Sequence, residues 1–195
     1  MERLPEEGPS FPSRKTKRLR KGRLSTAGSR YFLTLVAHHR KSGLDHPQIL
    51  SRIREVLFLM QKEGDFDLLC GTVMPDHLHL LVLLQDRLSL SQCVQKLKTK
   101  TRRVLLAANL RWQANYFDHR LRAEQTNEPF AFYIFLNPYR KKLIDPESVW
   151  AGWIGSESYR PHFQQSLIDG LFPPSSWVES ESNFQDLIEV QGRKK

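Results

Sequence analysis

The chain has 195 residues, of which 39% are hydrophobic, and this length suits one globular core with a small appendage. The formal net charge of +9 and the sequence pI near 9.8 favour a polyanionic partner. Nucleic acid fits better than a membrane, because no apolar run approaches the roughly 18 residues of a spanning helix.

Residues 1–29 are expected to form a flexible arm, because prolines and glycines interrupt a stretch with few apolar side chains. Within the arm, residues 14–23 are densely basic. Two interpretations are open, a solvated tail or a segment whose cations contact nucleic-acid phosphates. The candidate DNA contacts in the arm are Arg14, Lys15, Lys17 and Arg18.

Apolar periodicity after the arm predicts the element order β-α-β-β-α-β, followed by a further helix. The predicted strands are 31–37, 66–73, 77–84 and 111–121, and the predicted helices are 47–62, 90–109 and about 127–138. Either Ser89 or Ser91 is a plausible N-cap of the second helix. This order is typical of the α+β class and of the ferredoxin-like βαββαβ arrangement, a four-stranded antiparallel sheet with helices on one face.

The domain is therefore predicted to span residues 30–145, and its last helix carries a tyrosine. Residues 146–195 are expected to form an irregular extension that contains aromatic side chains. Cys70 and Cys93 lack a CxxC spacing, and we expect two reduced, buried thiols. No apolar segment near the N-terminus indicates a secretory signal, so a cytoplasmic protein is expected.

Two histidines in the third predicted strand are the first candidate for chemistry. His77 and His79 share one face of the strand, whereas Leu78 and Leu80 take the other. Two imidazoles side by side can hold a divalent cation. The alternative is a role in packing, but two polar rings in an aliphatic strand need partners or carry a desolvation cost.

Tyr133 and Asn137 stand four residues apart and therefore on one face of the predicted third helix. The alternative is an ordinary helical aromatic, with Asn137 ending the helix before Pro138. Combined with the histidine pair, the Asn137 amide oxygen would complete a metal coordination sphere, with the Tyr133 hydroxyl beside a bound phosphate. The combination suggests phosphodiester chemistry with a covalent step.

The second helix carries a positive stripe without acidic residues between positions 90 and 111. Such a stripe is either a solvated face or a surface for a phosphate backbone, and we favour the second. The candidate DNA contacts here are Lys96, Lys98, Lys100, Arg102 and Arg103.

Aromatic residues follow the second helix and precede a further histidine. Trp112, Tyr116 and Phe117 are candidates for stacking on unpaired bases, although at least one of them is expected in the core. His119 is a possible accessory residue, as a general acid or base or as a DNA contact. Its alternative is a structural role at the end of a strand.

Three motifs in this order resemble the REP-associated tyrosine transposases, which belong to the single-tyrosine HUH transposases of insertion sequences. The motifs are VMPDHLHLLV at 73–82, WQANYFDH at 112–119 and YIFLNP at 133–138, and the resemblance spans about residues 30–145. It implies the ferredoxin-like fold and single-stranded DNA cleavage and strand transfer through a 5′-phosphotyrosine. The expected setting is the bacterial cytoplasm, in association with the nucleoid.

By the same resemblance, Tyr133 is the nucleophile, and His77 and His79 hold a divalent metal, Mg²⁺ or Mn²⁺. Asn137 would by position be the third ligand. The expected partner is single-stranded DNA that contains a hairpin, because a duplex hides its base faces. Both a monomer and a homodimer are open.

One segment departs from the family pattern. After Asn-Pro the family usually has a β-branched residue, a basic residue and an Ala-Gly pair, where this chain has Tyr139, Arg140, Lys141 and Lys142. Tyr139 is a competing tyrosine, expected to face away from Asn137. Two other functions stay open: a non-catalytic nucleic-acid-binding protein with the same fold, and a metal-dependent hydrolase in which water attacks.

Overall fold

The computed structural model describes residues 25–179 of the chain. The strands are β1 (Arg30–Val36), β2 (Phe66–Val73), β3 (His77–Leu84), β4 (Phe117–Arg120) and β5 (Trp153–Ile154). The helices are α1 (Pro47–Lys62), α2 (Leu90–Ala107), α3 (Glu128–Arg140) and α4 (Ser175–Glu179). Short 3₁₀ turns occupy His38–Arg40 and His162–Ser166. Ser89 is the N-cap of α2, where it forms a capping box with Gln92.

The strands form one antiparallel sheet in the order β4-β1-β3-β2-β5. The first four strands have the order of the predicted ferredoxin-like arrangement, which is confirmed. The fifth strand comes from the C-terminal extension and pairs with β2 through Gly71 and Thr72. The predicted fourth strand covers 111–121, whereas β4 covers only Phe117–Arg120. Its first part is a loop, because Lys98 donates three hydrogen bonds to the backbone carbonyls of residues 113–115.

The two sheet faces carry different layers. Helices α1 and α2 cover one face, where alternate strand residues such as Leu33, Leu80 and Val82 join the larger apolar core. Helix α3 covers the opposite face, where Phe32 and Leu81 pack with a second apolar cluster. Because strand residues alternate between faces, each strand supplies side chains to both layers. Cys70 and Cys93 are buried free thiols, as predicted.

Helix α3 continues past the position where the sequence predicts its end. Pro138 lies inside the helix, which runs on to Arg140. The turn is closed by Lys142, whose backbone is left-handed with φ 53°, and by the bond from the Leu143 N–H to the Pro138 carbonyl oxygen. This backbone conformation is one that glycine adopts without strain.

Aromatic residues of the C-terminal extension pack on α3. Phe163 and Trp177 contact Phe132, with ring centroids 5.4 and 5.0 Å away. Glu128, in the first turn of α3, accepts hydrogen bonds from the backbone N–H groups of His162 and Phe163 at 3.0 and 2.7 Å. The extension therefore fixes α3 against the sheet.

Candidate active site

The histidine pair lies on the sheet face that α3 covers. His77 pairs with Val36 of β1 and His79 pairs with Thr34, while the intervening Leu78 belongs to the core on the other face. His79 is 5% exposed. The two rings therefore project side by side from the beginning of β3, as their spacing predicts.

The two rings face each other through their Nε2 atoms, which are 3.0 Å apart. The Nδ1 atom of His77 is 2.5 Å from a carboxylate oxygen of Asp76, and the Nδ1 atom of His79 is 2.9 Å from the Thr34 hydroxyl. Two nitrogens that bind one cation at about 2.1 Å and at a right angle are about 3.0 Å apart. The pair thus has the spacing and the outer hydrogen bonds of two metal-ligating imidazoles.

Burial shifts the pKa values of His77, His79 and Asp76. It lowers the pKa of His79 well below its ordinary value, with a further decrease from the charge of His77. Burial also lowers the pKa of His77, and the neighbouring Asp76 opposes this only in part. For Asp76, burial raises the pKa, but the hydrogen bonds and charges of His77 and Arg40 outweigh it and hold the pKa below its ordinary value. The site therefore holds neutral imidazoles beside an ionised carboxylate.

Tyr133 of α3 lies over the histidine strand. Its ring centroid is 5.6 Å from that of His79 and 6.0 Å from that of Phe32. Burial raises the pKa of the phenol, and the hydrogen bond with Asn137 and the charge of Arg140 oppose this. A protonated phenol is thus placed beside the imidazole pair.

Asn137 lies one helical turn from Tyr133 and is 5% exposed. Its amide hydrogen-bonds Tyr133, whereas its Oδ1 is buried and has no hydrogen-bond partner within residues 25–179. A buried carbonyl-type oxygen without a donor carries a cost unless another group satisfies it. Such an oxygen suits a divalent cation, so the donor set of two imidazoles and one amide fits a metal. In residues 25–179, no cluster of three or more His, Cys, Asp or Glu side chains is placed to hold a metal ion.

The other tyrosine hydroxyls have partners away from the histidines. Tyr139 is 2% exposed and donates to the backbone carbonyl of Ser148 at 2.9 Å. The hydroxyl contacts of the remaining three are Tyr159 with Glu128, Tyr116 with Ser91 and Tyr31 with the backbone N–H of Thr26. Tyr133 is therefore the tyrosine that the fold brings to the histidine pair.

His119 lies on the same sheet face but has structural contacts. Its ring stacks on Phe130 with a centroid distance of 5.6 Å, and its Nε2 is 3.2 Å from the Gln125 amide oxygen. Gln125 is 2% exposed. These contacts favour a role for His119 in holding the segment between β4 and α3.

The five cationic side chains proposed on α2 have different environments. Lys96 forms ion pairs with Glu63 and Asp65, which follow α1. The segment 90–111 contains no acidic residue, but Lys96 still has acidic partners, because they come from a segment distant in sequence. Lys98 donates to the loop after α2. Of the remaining candidates, Lys100 is half-buried, and Arg102 and Arg103 are exposed.

The position of α2 separates its cations from Tyr133. Helix α2 belongs to the core on one face of the sheet, whereas Tyr133 packs on the opposite face. The structure thus does not bring the stripe to the histidine pair. Arg14, Lys15, Lys17 and Arg18 of the arm lie outside the described residues.

The three aromatic candidates for base stacking have different environments. Trp112 packs against the larger core and donates to the Thr101 hydroxyl at 2.9 Å, and Tyr116 also packs there. Phe117 is 45% exposed, and its ring lies 6.4 Å from that of Phe32, which contacts both His79 and Tyr133. Phe117 is thus the candidate that adjoins the histidine site.

Sequence reasoning missed the residues that support the histidines. Thr34 is distant in sequence, and only the pairing of β1 with β3 places it beside His79. Arg40 pairs with Asp76 at 2.9 Å from the turn after β1. Asp76 could have been proposed as a partner of His77 from the sequence, because it directly precedes that histidine.

Comparison with known proteins agrees with this fold. A family model described as transposase, IS200-like, matches residues 25–126, a range that includes the histidine strand and ends before Tyr133. The solved structure of a REP-associated tyrosine transposase bound to a REP hairpin has a TM-score of 0.59 with 20% sequence identity. That match covers 83% of this chain and 90% of the other.

A putative transposase from Deinococcus radiodurans R1 has a TM-score of 0.43 with 22% identity, over 59% of this chain and 95% of the other. No curated protein matches the sequence. In residues 25–179, no helix is long and apolar enough to cross a bilayer.

Proposed function

Because this chain belongs to the family of IS200-like transposases, we propose that it cleaves and rejoins single-stranded DNA through a covalent bond to Tyr133. The observation that carries the proposal is the contact between the Tyr133 and His79 rings, 5.6 Å apart. At this contact, the candidate nucleophile Tyr133 of α3 lies beside the candidate metal ligands His77 and His79 of β3. The hydroxyls of the other four tyrosines contact groups away from the histidines, so Tyr133 is the best candidate.

We further propose that His77, His79 and Asn137 hold a divalent cation, Mg²⁺ or Mn²⁺. Support comes from the 3.0 Å separation of the Nε2 atoms and from the buried, unpartnered Oδ1 of Asn137. When bound, such an ion would polarise a nonbridging oxygen of the scissile phosphate and offset its developing charge.

In the covalent step, the phenolic oxygen of Tyr133 attacks the phosphorus and forms a phosphotyrosine with the new 5′ end of the downstream strand. The bond to the 3′ oxygen breaks, and that oxygen leaves with the electron pair. The phenolic proton ends, through solvent, on the departing 3′ hydroxyl. Attack by a different 3′ hydroxyl reverses the step and joins two strands without ATP, because the phosphodiester energy is kept in the covalent link.

The proposed substrate is single-stranded DNA beside a hairpin. The related structure with a REP hairpin supports this choice, as does the exposed Phe117, a flat apolar surface next to the site. Phosphate contacts beyond the site are proposed for Lys100, Arg102 and Arg103 on α2 and for the basic arm. Because α2 lies on the other side of the sheet, its cations would bind a part of the DNA distant from the cleaved phosphate.

The test is incubation of the protein with end-labelled hairpin DNA carrying single-stranded flanks, with Mg²⁺, with Mn²⁺ and with EDTA. We expect a protein–DNA adduct that resists denaturation in the metal-containing samples and is absent with EDTA. Binding without any break would favour a non-catalytic nucleic-acid-binding protein instead. Breaks that persist in Tyr133→Phe would favour hydrolysis by water.

A further inference from the structure

The candidate DNA contacts of α2 lie across the sheet from the histidine pair, whereas Arg40 lies next to it. The Nη1 atom of Arg40 donates to one carboxylate oxygen of Asp76 at 2.9 Å. The other oxygen of Asp76 is 2.5 Å from the Nδ1 atom of His77. A single side chain therefore separates the Arg40 guanidinium from a proposed metal ligand.

The Arg40 side chain can bind an anion in addition to Asp76. It is 68% exposed. A guanidinium has five N–H donors in a planar fork, and the hydrogen bond to Asp76 involves its Nη1 atom. That fork matches the geometry of a phosphate group, to which arginine donates two parallel hydrogen bonds. Arg40 can thus hold a phosphate close to the histidine pair.

The backbone that carries Arg40 is strained and firmly attached. His39 and Arg40 both have left-handed backbones, with φ 57° and 52°. Side chains other than glycine adopt this conformation only when surrounding contacts hold it. Two such contacts are the N–H groups of Gly43 and Leu44, which donate to the Pro75 carbonyl at 2.8 and 2.9 Å. The turn after β1 is therefore fixed to the corner that precedes the histidine strand.

Two further cations lie at the same turn. The Arg111 carbonyl accepts from the His38 N–H at 2.7 Å, and the Arg111 Nη2 atom is 3.3 Å from both ring nitrogens of His38. The Lys41 Nζ atom donates to the Asn109 carbonyl at 3.0 Å. Both cationic side chains are exposed. We call the surface formed by Arg40, Lys41 and Arg111 the basic turn.

The basic turn keeps a net positive charge. Two carboxylates lie in the same segments, namely Asp76, which pairs with Arg40, and Asp45, which is exposed. Three cations against two carboxylates leave one positive charge in excess. A polyanion bound at the histidine pair would therefore meet a favourable potential at this edge of the sheet.

We propose that the basic turn binds phosphates of the single-stranded flank within a few nucleotides of the break, so that the strand runs from the histidine pair along the end of β1. The inference rests on the proposed function, which puts the cleaved phosphate at the histidines. Phosphate contacts carry no base information, so the basic turn fixes the position of the strand and not its sequence.

The first test measures DNA affinity by fluorescence anisotropy in EDTA, with hairpin DNA that carries single-stranded flanks. EDTA keeps the DNA intact and excludes any effect through the metal. Replacing Arg40 and Arg111 together by Gln should weaken binding by about tenfold. It should also reduce the slope of log affinity against log salt by about 1.4, the effect of two lost contacts to a single strand. Arg40→Lys keeps the charge and should retain most of the affinity.

The matched control is Arg87→Gln. Arg87 is 51% exposed and pairs with Asp65 at 3.3 Å, so it is also an exposed arginine beside a carboxylate. It follows the end of β3, whereas His77 begins that strand, so it lies at the opposite end from the site. Its replacement should leave the affinity and the salt slope unchanged.

A second test locates the contact on the DNA. The break is mapped with the unaltered protein, and the phosphates of the flank are then replaced one at a time by uncharged methylphosphonates. Near the break, at least one replacement should weaken binding by the unaltered protein and have little further effect on the variant without Arg40 and Arg111. Such coupling confined to the hairpin stem would overturn the proposal.

The remaining outcomes distinguish this inference from the function on which it rests. If the unaltered protein neither binds the DNA nor forms an adduct, the proposed function fails and the basic turn fails with it. If the adduct forms on Tyr133 and the double variant binds as tightly as Arg87→Gln, only the basic turn is refuted. A loss of affinity without coupling to any phosphate would also refute it, because the contact would then be indirect.

Discussion

The ring of Tyr133 lies 5.6 Å from the imidazole of His79, centroid to centroid, and the two planes are inclined at 67°. One residue comes from the third helix and the other from the third strand, so the contact depends on how α3 crosses the sheet. The aromatic residues of the C-terminal extension hold α3 in that position. The site is therefore an assembly of sheet, helix and extension.

Tyr133→Phe is expected to abolish the covalent adduct and to leave binding of single-stranded DNA intact, because only the hydroxyl is lost. Adduct formation is measured on denaturing gels, and peptide mass spectrometry locates the phosphotyrosine. Tyr139→Phe is the matched control in the same helix. It should keep the adduct but lower the free energy of unfolding by about 1 kcal/mol, since it removes a hydrogen bond to the Ser148 carbonyl. A phosphotyrosine on any other residue refutes the assignment.

His77→Ala and His79→Ala are expected to abolish cleavage and to leave most of the DNA affinity, because each removes a proposed metal ligand. Cleavage is followed with end-labelled DNA, and affinity is measured by fluorescence anisotropy with the same oligonucleotide. His162→Ala, at an exposed histidine of the extension, serves as the control. Full cleavage by the double alanine variant would exclude the metal assignment.

Phe117→Ala is expected to weaken binding of single-stranded flanks by about tenfold, since stacking of one base on an aromatic ring contributes roughly 1–3 kcal/mol. Phe117→Trp should retain the affinity. The matched control is Phe58→Ala, because Phe58 has the same 45% exposure but lies on α1, across the sheet. Anisotropy titrations decide, and equal affinities for Phe117→Ala and Phe58→Ala would remove Phe117 from the interface.

A substitution of Lys96 is expected to affect stability, whereas a substitution of Arg103 is expected to affect DNA binding. Lys96→Met should lower the free energy of unfolding by about 2 kcal/mol, because it takes a partner from Asp65, a carboxylate with no exposed surface. Arg103→Gln should leave stability unchanged and reduce the slope of log affinity against log salt by about 1, the effect of one lost phosphate contact. Urea denaturation and salt titrations measure the two effects. The reverse pattern would restore Lys96 to the DNA interface.

Lys142→Gly is expected to stabilise the protein by about 0.5–1 kcal/mol, because glycine adopts the left-handed backbone at this helix end without strain. Lys141→Gly is the control at the preceding residue, where φ is −83° and glycine brings no such relief. Both variants lose one positive charge, so the comparison isolates the backbone effect. Thermal denaturation is the measurement, and an equal response of the two variants would contradict the explanation.

Much of the fold is readable from the sequence, because local patterns control local structure. The short, mostly apolar runs of β2 and β3 and the apolar spacing in α1 predict those three elements with the bounds that the structure has. The two-residue period of a strand puts His77 and His79 on one face, and helical spacing puts Tyr133 and Asn137 together. These relationships depend on backbone period alone.

Tertiary structure decided the rest, because it depends on contacts between segments distant in the chain. Only the packing of α3 shows that Tyr133 shares a sheet face with the histidines and that the α2 cations lie across the sheet. The pairing of β1 with β3 brings Thr34 to His79, and the turn after α1 brings carboxylates to Lys96. Helix α3 passes through Pro138 because its buried apolar face outweighs the local preference for a helix end.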